Sequence, residues 1–126
     1  MKKRIVLTGG KFNRVHPGHT WLLKKAKKLG YLIIVLASDA HNKRPYARPE
    51  KERKTAIEKL KIADKVVVGS SKKFSYVIRK FHPNIIVLGY DQKMPDKETR
   101  QIAEKMKIKI VKFRKHGNYR TGKLIS

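Results

Sequence analysis

Cysteine is absent from this 126-residue chain, which removes disulfides, thiolate metal sites and thiol catalysis together. A reducing interior suits such a chain, and the cytoplasm is the expected compartment. No apolar run approaches the length needed to cross a bilayer, so no membrane is expected as a partner, and no N-terminal stretch has the apolar core and cleavage site of a signal peptide. Repeats, low-complexity segments and linkers are missing too, and the length is that of one ordinary domain, so residues 1–126 are read as a single domain.

Acids are scarce: nine Asp and Glu stand against 33 Lys and Arg, a formal charge of +24. The field of such a surface attracts anions. Many of the lysines, Lys24, Lys25, Lys27, Lys28, Lys51, Lys54, Lys59 and Lys61 among them, fall on the polar faces of helical patterns, where they form a solvated surface. Charge therefore leaves nucleic acid, polyanionic small molecules and a lysine-rich, heat-adapted surface all open.

What is present is a regular alternation. Residues 4–8 (Arg-Ile-Val-Leu-Thr) form a short apolar run ended by Gly9-Gly10, as a buried parallel strand reads. Leu22, Leu23, Ala26 and Leu29 then repeat at helical spacing over about 18–29, with Gly30 as a stop. Residues 31–37 form a second buried strand, followed by a basic loop over 38–48. Pro49, placed as a first-turn proline, opens a helix marked by Ala56, Ile57, Leu60 and Ala63. Residues 65–69 read as a third strand; Phe74, Val77, Ile78 and Phe81 mark a third helix. Residues 85–89 are a fourth strand, Pro95 opens a helix carrying Ile102, Ala103 and Met106, and residues 108–113 are a fifth strand. Residues 115–126 receive no assignment.

Strands alternating with helices at this spacing predict an α/β, Rossmann-like, doubly wound sheet of five parallel strands with helices on both faces. Ligands of such sheets lie outside the carboxyl ends of the strands. The loops over 9–19, 38–48, 69–73 and 89–93 are therefore expected to converge on one site.

The first of these loops concentrates chemistry. Between the first strand and first helix it carries Gly9, Gly10, Lys11, Phe12, Asn13, His16, Gly18 and His19. Backbone N–H groups, a helix N-terminus and paired imidazoles at one turn suit phosphate binding. His16-Pro17-Gly18-His19 resembles the His-x-Gly-His signature of nucleotidyltransferases with the cytidylyltransferase-like fold, and its place after the first strand matches as well as its letters. Val87-Leu88-Gly89-Tyr90-Asp91-Gln92 is similar to a segment of archaeal FAD synthases, and Pro49-Glu50-Lys51-Glu52-Arg53 to the helix start of the same family. Three matches in one order cover most of the chain.

The resemblance implies transfer of AMP from ATP to FMN, with Mg2+ or another divalent cation, giving FAD and pyrophosphate. His16, His19 and Lys11 would act on the triphosphate and the transition state; Thr8, Gly9, Gly10, Phe12, Gly18, Gly89, Asp91, Arg120, Thr121 and Lys123 would hold the nucleotide. Asn13, Lys43, Arg44, Arg48 and Arg53 would meet the phosphorylated acceptor, with Arg53 alternatively balancing Glu50 and Glu52. No side chain is assigned to the metal directly, although Asp91 could hold it through water.

The pattern also departs from the family. Gly-Thr-Phe-Asp is usual where Gly10-Lys11-Phe12-Asn13 stands, and Gly-Lys-Phe is similar to nicotinamide mononucleotide adenylyltransferases. Only Thr121 and Lys123 of the tail fit the family's phosphate-contacting segment. Glycerol-3-phosphate cytidylyltransferase and nicotinamide-mononucleotide or phosphopantetheine adenylyltransferase thus stay as alternative acceptor assignments, and the family points to a homodimer. From another class, the charge suggests a non-catalytic nucleic-acid-binding protein on this fold; without an aromatic-basic RNA signature or helix-turn-helix pattern, incidental electrostatic binding is expected instead of specific recognition. His41, His82 and His116 are read as surface histidines, and Trp21 and Tyr31 as core or interface residues rather than a flavin stack.

Overall fold

A computed structural model of the chain describes residues 4–10, 12, 17–38, 48–69, 74–89, 97–113 and 119–120. Its elements run β1 (Ile5–Gly10), α1 (Pro17–Lys27), β2 (Tyr31–Leu36), α2 (Glu50–Lys59), β3 (Lys65–Val68), α3 (Phe74–Phe81), β4 (Ile85–Leu88), α4 (Lys97–Lys105), β5 (Lys109–Phe113) and β6 (Tyr119–Arg120). The sheet order is β3-β2-β1-β4-β5-β6. The first five strands are mutually parallel, as expected, and β6 adds a short antiparallel edge.

Apolar runs become strands buried on both faces because helices cover each side. On one side Leu23 and Ala26 of α1 and Ile57 of α2 pack on Val6, Leu32, Ile34, Leu36, Val66 and Val87. On the other, Val77 and Ile78 of α3 and Ala103 of α4 pack on Leu7, Ile33, Val35, Ile86 and Leu88. Successive residues of β2 therefore alternate between two cores, and Leu32, Ile34 and Leu36 are fully inaccessible to solvent. Each such side chain contributes about 1.5–3 kcal/mol of hydrophobic stabilisation.

Two element boundaries differ from the sequence pattern. Gly9 and Gly10 do not end β1; they extend it, pairing with Val35 and Leu36, because the apolar run of β2 offers partners two residues further on. Pro49 is the N-cap of α2 instead of its first residue, and its carbonyl accepts from the N–H of Glu52 and Arg53.

Helices α2, α3 and α4 are each followed by a residue in the left-handed conformation, Lys61 (φ 52°), His82 (φ 47°) and Lys107 (φ 56°). That conformation terminates a helix and turns the chain back toward the amino end of the next strand. Gly30 has a different reason for being glycine. A Cβ there would collide with the carbonyl oxygen of Arg4, which accepts a hydrogen bond from the N–H of Tyr31 at 2.7 Å.

Candidate functional site at the carboxyl rim

With all five long strands parallel, their carboxyl ends share one rim, and the strand order reverses direction between β1 and β4. Gly10 ends β1, Ala37 and Ser38 follow β2, Gly69 follows β3 and Gly89 follows β4. The described parts of all four expected loops thus lie on that rim. Leu88 is level with Lys112 of β5, and Lys112 with Arg120 of β6, so the backbone of Arg120 is carried to the same rim.

His19 occupies the first turn of α1, where the helix dipole favours an anion. Its Nδ1 is buried, and its ring meets Phe12 edge to face, with centroids 5.2 Å apart and planes at 63°. Phe12 is buried and left-handed, with φ 48°, an uncommon conformation for a bulky residue. A Cβ at Gly10 would lie 2.8 Å from Cε2 of Phe12. The phenyl ring of Phe12 thus occupies the space beside Gly10.

The clamp at the end of β2 was not foreseen. Arg53 is only 1% exposed; its Nε donates to the carbonyl of Arg48 at 2.8 Å and its Nη1 to that of Ala37 at 2.7 Å. One guanidinium thereby joins the exit of β2 to the approach of α2 and closes the base of the loop over 38–48. Two nitrogens of Arg53, a residue that the resemblance assigns to the acceptor, are thus engaged by backbone carbonyls inside the fold. A signal was available: Arg53 stands four residues before Ile57 and seven before Leu60, on the apolar stripe of α2. Beside the clamp, Ser38 has a buried Oγ with no hydrogen-bond partner among the described residues, a state that costs about 1–3 kcal/mol.

Thr8 is likewise engaged within the sheet. Expected among nucleotide contacts, it is fully buried within β1 and its hydroxyl donates to the carbonyl of Val87 in β4 at 3.0 Å. Lys112, half-buried and level with Arg120, is a rim cation that the sequence pattern did not single out. Trp21 packs on the core and meets Phe113 edge to face, as expected of a core residue, while Tyr31 and His82 are exposed. Lys11, Asn13, His16, Lys43, Arg44, Asp91, Thr121 and Lys123 lie outside the described residues.

Comparison with known proteins places this rim in a family. The cytidylyltransferase-like family model matches residues 7–125, and the chain belongs to that family. Within it, the chain is 37% identical to the FAD synthase of Aciduliprofundum boonei over 90% of its own length and 80% of that protein's. It is 36% identical to the FAD synthase of Ferroglobus placidus, over 89% of this chain and 76% of the relative. The resemblance to archaeal FAD synthases read from the motifs is borne out. Among solved structures, the lipopolysaccharide core biosynthesis protein of Thermoplasma volcanium superimposes with a TM-score of 0.74 at 31% identity, covering 87% of this chain and 95% of that one. Pantothenate synthetase of Thermus thermophilus, at 9% identity and a TM-score of 0.59, shares the fold over 88% of this chain and 55% of its own.

Proposed function

We propose that this chain is an adenylyltransferase that makes FAD from FMN and ATP. The observation that carries the reading is the FAD synthase relatedness across nearly the whole chain, joined to a histidine in the first turn of α1 at the rim where β1 ends. A phosphate oxygen of FMN attacks the α-phosphorus of ATP in line; the bond from that phosphorus to the bridging oxygen breaks, and pyrophosphate leaves. No covalent enzyme intermediate is needed, so the protein contributes position and charge.

His19, with His16 and Lys11, donates to phosphate oxygens as negative charge builds, and the N–H groups that open α1 add to the same field. Arg120, Thr121 and Lys123 extend the cationic side toward the leaving pyrophosphate, while Asp91 accepts from ribose or base. Lys43, Arg44 and Arg48, in the loop whose base Arg53 closes, hold the acceptor together with Asn13. The buried Oγ of Ser38 gains a hydrogen-bond partner when this rim is filled.

FAD synthase-like nucleotidyltransferases use ATP with a divalent cation, which neutralises phosphate charge. Among the described residues no three His, Asp or Glu side chains come together. The glycines, serine, histidine and arginine of the rim fit phosphates, so such a cation would arrive on the oxygens of the nucleotide. No helix among the described residues is long and apolar enough to cross a membrane.

The Thermoplasma neighbour supports a second reading in which the same transfer serves another phosphorylated acceptor. One screen tests both. ATP and CTP are each offered with FMN, glycerol 3-phosphate, nicotinamide mononucleotide or phosphopantetheine, and pyrophosphate release is measured. FAD from ATP and FMN is the expected product; release with another pair and none with FMN overturns the acceptor, and release with none overturns the reaction class.

A further inference from the structure

We propose that Phe12 is the positioning residue for His19, and that Gly10 lacks a side chain in order to seat the ring of Phe12. The proposal rests on the reading of His19 as a phosphate-contacting group.

An imidazole in the first turn of a helix can rotate about two side-chain bonds, and only some of its orientations aim a ring nitrogen at the rim. The Phe12 ring, 5.2 Å away by centroid and inclined at 63°, restricts that rotation through packing. Phe12 can do this because it is fixed in turn. It is 8% exposed, packs with Val6, Leu23 and Ala26 in the core, and is set by a left-handed backbone. Strain of that kind persists where the surroundings over-determine it. Gly10 is the other boundary: a Cβ would stand 2.8 Å from Cε2 and 3.3 Å from both Cδ2 and Cζ. Its backbone is held by pairing with Leu36 and by the N–H of Ala37, which donates to its carbonyl at 2.9 Å. A rigid path therefore runs from the sheet through Gly10 and Phe12 to the imidazole.

The path makes Gly10 and Phe12 energetically coupled, which is what distinguishes positioning from general core packing. Gly10→Ala pushes the ring and lowers kcat by about ten- to a hundredfold, since misplacement near 1 Å carries a cost of that order. Phe12→Leu keeps an apolar side chain, removes the ring and lowers kcat about tenfold, with KM for ATP within about twofold. In the Phe12→Leu background the smaller side chain makes room, so adding Gly10→Ala lowers kcat by less than about threefold.

The same variants are followed by the proton resonances of the His19 ring, which the ring current of Phe12 displaces and which move in Phe12→Leu whether or not turnover changes. Phe12→Met serves as a second variant if Phe12→Leu does not fold. Losses in kcat that simply multiply, or His19 resonances unmoved in a folded Phe12 variant, overturn the proposal. Near-normal turnover of His19→Ala instead overturns the catalytic reading beneath it, and does so even where the resonances move.

Discussion

At the amino end of the sheet, Asp64 and Asn84 repeat one device. Each stands one residue before a strand and exchanges two hydrogen bonds with a residue of the neighbouring strand. The N–H of Asp64 donates to the carbonyl of Leu32 and its carboxylate accepts from the N–H of Leu32; the N–H of Asn84 donates to the carbonyl of Ile5 and its Oδ1 accepts from the N–H of Ile5, all at 2.8–2.9 Å. The side chain acts as a further rung of the ladder and fixes register where the strands begin. At the carboxyl end, among the described residues, stand glycines, a left-handed phenylalanine, a buried histidine nitrogen and a hydroxyl with no hydrogen-bond partner. One end is closed on itself by these rungs, and the other is where the proposed site lies. The same strands can serve both purposes because parallel pairing places all their loops of one kind on the same rim.

Substitutions separate the two ends. The largest effect is expected from His19→Ala, which lowers kcat by about 10²–10³-fold while the thermal midpoint stays close to that of the parent. Comparable loss of stability would move His19 from the functional rim to the structural frame. Next comes Arg53→Met, which keeps much of the volume but leaves the carbonyls of Ala37 and Arg48 without their charged donor, and costs about 3 kcal/mol in denaturant unfolding. A rise in the KM for the acceptor with unchanged stability would show instead that this arginine serves the acceptor and not the frame.

The frame was largely legible because its signals are local. Five apolar-rich runs became five parallel strands, β2 and β4 the most fully buried, and the position of His19 after the first of them followed from order alone. What sequence did not disclose depends on which way a side chain points once the sheet exists. Thr8 and Gly10 lie two residues apart in one strand, yet the hydroxyl of Thr8 turns to Val87 while the bare face of Gly10 receives Phe12. Arg53 reads as surface by its charge, and only its alignment with Ile57 and Leu60 betrays its burial. The two-residue β6 is too short for periodicity to register.

Two smaller effects belong to the amino end. Asn84→Ala removes the side-chain rung to Ile5 at an exposed position and costs about 1 kcal/mol, with kcat unchanged. If turnover falls instead, the ends are coupled through β1 and the division between frame and site fails.

The smallest effect has the opposite sign, and it contrasts the two kinds of left-handed residue. Lys107 is exposed and follows α4 with φ 56° before β5 begins. A side chain pays a steric cost in that conformation which glycine avoids, so Lys107→Gly is expected to raise stability by about 0.5–1 kcal/mol, partly offset by the greater freedom of glycine in the unfolded chain. Phe12 has a similar φ of 48°, but its ring fills the core and meets His19, so Phe12→Gly loses more in packing than it gains in backbone ease. Thermal unfolding of the two glycine variants side by side checks this. A gain at 107 and a loss at 12 would show that strain at the carboxyl rim is retained for the contact it secures, whereas a gain at both would reduce Phe12 to another chain-turning residue.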